Sequence, residues 1–124
     1  MATEQIARRL VTLCREGKFG QVHDELFAED AVSIDPDDLP QDALGNAQGL
    51  AEIRHKGRQF EARTEKVHGI QVSDPVVAGN WFSVSMALDA TMKERGRMTL
   101  REICVYHVSN GRIDREQFFF DPGR

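Results

Sequence analysis

Glu102 and Glu116 flank the strongest turn signal in the chain, Ser109-Asn110-Gly111, and carboxyls gathered in an apolar site can divide acid and base work between them. Asn-Gly between two runs of strand formers, one from Met98 and one ending at Phe120, marks a β-hairpin. Two loops fit. A two-residue loop of Asn110 and Gly111 pairs Ser109 with Arg112; a three-residue loop, with Gly111 left-handed in a bulge, pairs Val108 with Arg112. The choice matters because a slip of one residue turns every side chain to the other face. In the three-residue register Cys104 lies opposite Glu116, Glu102 opposite Phe118 and Tyr106 opposite Asp114. Leu100, Glu102, Cys104, Tyr106, Glu116, Phe118 and Phe120 then share one face. On that face Glu102 and Glu116 are diagonal neighbours, about 5–8 Å apart. Two such carboxyls in a partly apolar pocket cannot both ionise easily, so one is expected to carry a raised pKa. The competing expectation is a structural ion pair with Arg97, Arg101, Arg112 or Arg115.

Tyr106 can donate a hydrogen bond to a substrate oxygen, although a buried Tyr satisfied by a core carboxylate is equally ordinary. His68 has a side chain suited to proton transfer near neutrality and could partner a carboxylate, against the plainer expectation of a structural strand histidine. Phe82, Val84, Met86 and Leu88, alternating along one strand, join Phe118 and Phe120 as walls of an apolar pocket or as a plain core. A fully closed core would bury Glu102 and Glu116 at a large cost, which favours a cavity. Asp35, Asp37, Asp38 and Asp42 lack the spacing, central Gly and terminal Glu of a calcium loop, so no metal site is expected. No Gly-rich phosphate loop or ligand cluster points to an organic cofactor either. The opposite sheet face, with Trp81, Ile103, Val105, Ile113 and Phe119, is too apolar to leave wet, and a homodimer through it is expected.

A length of 124 residues is enough for one domain with its own core. The net charge of −4 leaves no basic footprint for nucleic acid or an anionic membrane. The opening MATEQIARRL reads as a charged helix rather than a signal peptide, and no apolar run is long enough for a membrane span. Cys14 and Cys104, far apart, suggest reduced thiols and a cytoplasmic setting rather than a disulfide or zinc pattern.

The elements that must position these groups follow in order. Ile6, Leu10, Leu13 and Cys14 recur at helical spacing over about Thr3 to Glu16, with Thr3 as candidate cap and Gly17 as stop. A second helix runs from Phe19 to Phe27, and Ala31 to Asp35 is a short strand ended by Pro36. Residues 37–48 form a loop rich in turn formers, of a length often used for binding. A third helix starts near Gly49, carrying Leu50, Ile53 and Phe60 on one side, with Gly57 inside it at a cost of about 1 kcal/mol against Ala. Strands then follow at Val67–Ser73, Val76–Val77, Trp81–Thr91 and the long hairpin. Helices first and antiparallel strands after define an α+β domain.

Three stretches in this order, LFAEDAVSIDP, AQGLAEIRHKG and HVSNGRIDREQFFF, resemble the nuclear-transport-factor-2-like superfamily, and within it a SnoaL-like domain. Ketosteroid isomerase and scytalone dehydratase are more distantly similar. The resemblance implies three N-terminal helices packed on a curved antiparallel or mixed sheet, a cone with an internal pocket. Asp35 falls where the isomerase keeps its general base, whereas an Asp that ends a strand by bonding the turn is the plainer alternative. Cys104 falls near the isomerase's protonated Asp, and Leu10 or Val11 near its Tyr donor, so both oxyanion donors are missing and steroid isomerisation is not expected. Glu116, Phe118 and Phe120 match pocket-lining positions, which favours the three-residue register. His68 is the candidate for the histidine that scytalone dehydratase pairs with an Asp. The expectation is a cofactor-independent enzyme. It would carry out proton-transfer chemistry (isomerisation, cyclisation or dehydration) on a hydrophobic carbonyl compound, with Asp35, Glu102, Glu116, Tyr106 and His68 as its chemical groups. Phe82, Val84, Met86, Cys104, Phe118 and Phe120 would hold the substrate. The alternative is a binding or dimerisation module with the same fold.

Overall fold

The computed structural model describes residues 1–39 and 45–121; Asp42 and part of the expected binding loop lie outside them. Three helices, α1 (Thr3–Arg15), α2 (Phe19–Leu26) and α3 (Leu50–Arg63), precede or interrupt seven strands. The strands are β1 (Phe27–Ile34), β2 (Ala47–Gln48), β3 (Thr64–Val72), β4 (Val76–Ala78), β5 (Trp81–Met92), β6 (Gly96–Ser109) and β7 (Arg112–Phe119). They form one open mixed sheet in the order β2-β1-β7-β6-β5-β3, with β4 on β5. Only the β1–β7 pair is parallel among these neighbours. Among the described residues no helix is long and apolar enough to cross a membrane.

The apolar stripe of α1 buries Ile6, Leu10, Leu13 and Cys14 against the sheet and adds Ala7 and Val11. The cap is Ala2 rather than Thr3, with the Gln5 side chain accepting the Ala2 backbone N–H at 3.0 Å. Gly17, at φ +74°, ends the helix as its sequence position suggests. β1 starts four residues earlier than expected, directly after α2, and β2 is a short strand inside what reads as loop.

The hairpin register differs from expectation in an instructive way. Asn110 and Gly111, at φ +52° and +74°, make the two-residue loop, so Ser109 pairs with Arg112 and Val108 with Ile113. A β-bulge then leaves Asp114 unpaired, and beyond it His107 faces Arg115, Tyr106 faces Glu116 and Cys104 faces Phe118. The loop shifts the strand by one residue and the bulge by another, so the facing beyond the bulge matches the expected one while each partner moves by two. Before the bulge the facing is reversed. Ile113, expected on the outer face, is therefore fully buried in the core.

Candidate functional site

Pairing across five strands sets one row of inward side chains: Phe82, Tyr106, Glu116, Ser33 and Ala47. A second row holds Val84, Cys104 and Phe118, and a third Val72, Met86 and Glu102. Asp35 continues the inward alternation of Ser33 just past the end of β1, where the Asn46 side chain accepts its backbone N–H at 2.8 Å. Glu102 and Glu116 thus lie two rows apart. Their expected diagonal contact gives way to a spacing of two rows in the backbone ladder. The cause is the two-residue loop together with the bulge, which each carry Glu116 one residue toward Tyr106 and away from Glu102.

Lys56 of α3 completes the group. It follows the buried Leu50 and Ile53 at helical spacing and extends its ammonium to Ser33 Oγ at 3.1 Å and Asp35 Oδ1 at 2.9 Å. The Asp35 and Lys56 side chains are only 8% and 15% exposed. The Phe118 ring, half-buried, lies with its centroid 5.2 Å from the ammonium nitrogen. Ser33 lies directly across from Glu116 in the β1–β7 ladder and favours its ionised form. Cys104 donates to Glu102 at 3.6 Å.

The electrostatics follow from burial. Glu116 is pushed up to about 7, first by burial, against the Ser33 hydrogen bond and the Lys56 charge, with further repulsion from Glu102 and Asp35. Glu102 is also pushed up to about 7, first by burial, with the Cys104 hydrogen bond opposing it, Asp35 raising it and Lys56 lowering it. For Glu102 the nearby charge that matters most is Asp35, whereas Glu116 feels Lys56 first and then Glu102 ahead of Asp35. Burial also raises the Cys14 thiol to about 12 and raises Cys104 and Tyr106, so all three remain neutral hydrogen-bond donors near pH 7. Among the described residues the interior therefore contains one buried ion pair and two carboxylic acids poised to exchange protons near neutrality. None of the four suspected arginines takes up these glutamates in the described contacts. Arg97 binds Asp89, Arg112 reaches the Glu25 carbonyl and Arg115 the Gln117 side chain.

A cleft of about 770 Å³ opens where β7 ends. Met86, Glu102 and Phe120 line it with Arg101, Ile103 and Phe119, and Pro36 brings the end of β1 to its rim. Of the buried acids only Glu102 reaches the cleft wall; Asp35 and Glu116 stay 7% and 6% exposed behind it. Phe82, Val84 and Cys104, expected on the pocket wall, belong instead to the packed core that the α1 stripe fills. Tyr106 lies in the same core, stacked on Phe82 with ring centroids 4.9 Å apart. His68 is a further correction. It is exposed on β3, bonded to Thr91 at 2.7 Å, and stands outside the carboxyl group it was expected to serve. Among the described residues no three His, Cys, Asp or Glu side chains converge to hold a metal ion.

Lys56 and Ser33 are the participants that the sequence reading missed. The signals were a lysine three residues after Ile53 in the apolar stripe of α3, and a serine alternating with Asp35 on a buried strand.

The sequence profile of the SnoaL-like domain matches residues 1–120. No curated protein sequence matches the chain. A candidate SnoaL-like polyketide cyclase [carbohydrate phosphatase] from Mesorhizobium loti is 28% identical, with a TM-score of 0.87 over 97% of this chain and 100% of that one. An NTF2-like protein of unknown function from Burkholderia pseudomallei is 20% identical, with a TM-score of 0.80 over 98% and 92%. A candidate isomerase from Bacillus subtilis is 20% identical, with a TM-score of 0.74 over 98% and 91%. The last two share the fold. With the profile spanning nearly the whole chain and the helix-on-sheet architecture in agreement, the protein belongs to the SnoaL-like domain family.

Proposed function

We propose that the protein is a small-molecule enzyme that moves protons in a hydrophobic carbonyl compound, by isomerisation, cyclisation or dehydration. The family itself supports a cyclase- or isomerase-type role in general. The observation that carries the finer reading is Glu102, a carboxylic acid with a pKa of about 7 set in the wall of a cleft whose other walls include Met86 and Phe120. A group that is half protonated at neutrality can both give and take a proton. In this reading Glu102 meets the substrate, Glu116 holds and returns a proton behind it, and Asp35 anchors the Lys56 ammonium between them. Tyr106 would steady developing oxygen charge only for a substrate that reaches past Glu102 into the core. No cofactor enters the scheme.

The covered positions of Asp35 and Glu116 favour the second reading, a non-catalytic binding or dimerisation module. Proton-exchange NMR in D₂O with a panel of cyclic enones and aromatic polyketide-like ketones separates the two. The enzyme reading expects exchange or turnover of at least one compound, reduced on the order of 100-fold or more in Glu102→Gln. Chemical-shift changes on binding, with no exchange or turnover across the panel, would support the module instead.

The outer sheet face supports the expected homodimer. Trp81 is 45% exposed there, and Val76, paired with Ser83, extends the same face at 70%; Ile103 and Phe119, which also line the cleft, lie where this face meets it. The free, buried thiols of Cys14 and Cys104 fit a reducing, cytoplasmic setting.

A further inference from the structure

We propose that Lys56 is the positioning residue of the carboxyl site: its ammonium, held by Asp35 and Ser33, stands beside Glu116 and sets how the two inward glutamates hold their protons. The inference rests on the reading that these carboxyls carry the protons of the site.

The geometry defines a continuous chain. Lys56 has three N–H donors and no acceptor. One reaches Asp35 Oδ1 at 2.9 Å and one Ser33 Oγ at 3.1 Å. Ser33 lies directly across from Glu116 in the β1–β7 ladder, and both side chains are buried on the inner face. Asp35, Lys56 and Ser33 are therefore linked atom to atom, with Glu116 beside them. Phe118 covers the ammonium, which keeps the cation in place and out of water. Such a buried pair is a poor device for stability alone, because apolar residues of the same volume often do as well or better.

The surroundings show what the cation acts on. From β1 it meets Asp35; from β7 it faces Glu116; from β6 it faces Glu102, with Cys104 and Tyr106 on the same strand, and Cys14 approaches from α1. All of these are acids. Lys56 favours the ionised form of both glutamates against the desolvation that opposes it. It thus brings the two acids into the range where they exchange protons near neutrality. Ser33 acts more narrowly, favouring the ionised form of Glu116, its partner across the ladder.

The test is a ¹³C-carboxyl NMR titration of Glu102 and Glu116 in the wild type, Lys56→Met, Lys56→Arg and Ser33→Ala, with circular dichroism to check folding. Lys56→Met should raise both midpoints by about one pH unit, while Lys56→Arg, which keeps the charge, should leave them near the wild type. Ser33→Ala should raise Glu116 and leave Glu102 in place. A merely structural lysine would not produce this pattern. Unchanged midpoints in Lys56→Met, with wild-type values near 7, would overturn the Lys56 inference alone. Wild-type midpoints near 4.5 would instead overturn the reading beneath it. If Lys56→Met does not fold, Ser33→Ala decides: a rise confined to Glu116 supports the inference, and no rise overturns it.

Discussion

Replacing Glu116 by Gln should stabilise the protein at alkaline pH and leave it nearly unchanged in acid. Glu116 is 6% exposed, and burial is the main cause that lifts its pKa from 4.5 to about 7. The folded state therefore holds a proton that the unfolded chain has already released. The stability this provides is fully present below about pH 4.5, falls as pH rises through the window, and is lost above about pH 7. A shift of this size corresponds to about 3 kcal/mol at 1.36 kcal/mol per pH unit. A Gln amide has the shape of the protonated acid and cannot ionise, so the variant escapes the loss. At about pH 8 it should exceed the wild type by up to about 3 kcal/mol, a melting shift of roughly 10 °C for a domain of this size. His23 works the other way in the same window, because burial, with Arg54 nearby, lowers its pKa and makes stability rise with pH. Glu102 adds a loss like that of Glu116. Both contributions are common to the two proteins and cancel in their difference, so the difference is the quantity to measure. Urea denaturation followed by circular dichroism across the pH range provides it. A difference that stays constant with pH, or a variant less stable than the wild type in alkali, would refute the assignment of a buried, raised Glu116.

Gly57→Ala should stabilise α3 by up to about 1 kcal/mol, since the added Cβ meets only His23 Cε1 at an ordinary 3.8 Å; a loss in thermal unfolding would contradict this. Deleting Asp114 removes the extra residue of the bulge and should leave Arg115 opposite His107 and Glu116 opposite Tyr106, so the facing and the cooperative melt persist; loss of a cooperative melt would show that the pairing beyond the bulge depends on Asp114 itself. Trp81→Lys should convert a dimer to monomer in ultracentrifugation at micromolar concentration; a wild type already monomeric would remove the proposed interface.

Much of this fold was readable because its signals are local and agree with one another. The α1 stripe, Gly17, the Asn-Gly turn and the alternation along β5 each have one physical meaning, and the helix-then-sheet order follows from them. The hairpin shows where local reading stops. A two-residue loop alone would have pointed Glu116 to the outer face. The bulge at Asp114 reverses this, and nothing in the RIDREQ segment marks it except an Asp that finds His107 at 2.7 Å once the strands are paired. Lys56 escaped notice for a similar reason. Its partners lie 23 and 21 residues away on another element, and only the packing of α3 over the end of β1 brings them together. His68, Phe82 and Val84 were placed by alternation or analogy, which fixes a face but not whether that face meets water, a cleft or a helix. In this chain α1 fills the space over Phe82 and Val84, so the open part of the site moves toward Glu102, where β7 ends.

The most direct test of the central claim is a ¹³C-carboxyl titration of the wild-type protein, with Glu102 and Glu116 assigned from their single Gln variants. The account predicts that both signals move with midpoints of about 7. Midpoints near 4.5 for both would mean solvated or cation-paired carboxylates, and would contradict the buried acid pair on which the proposed chemistry depends.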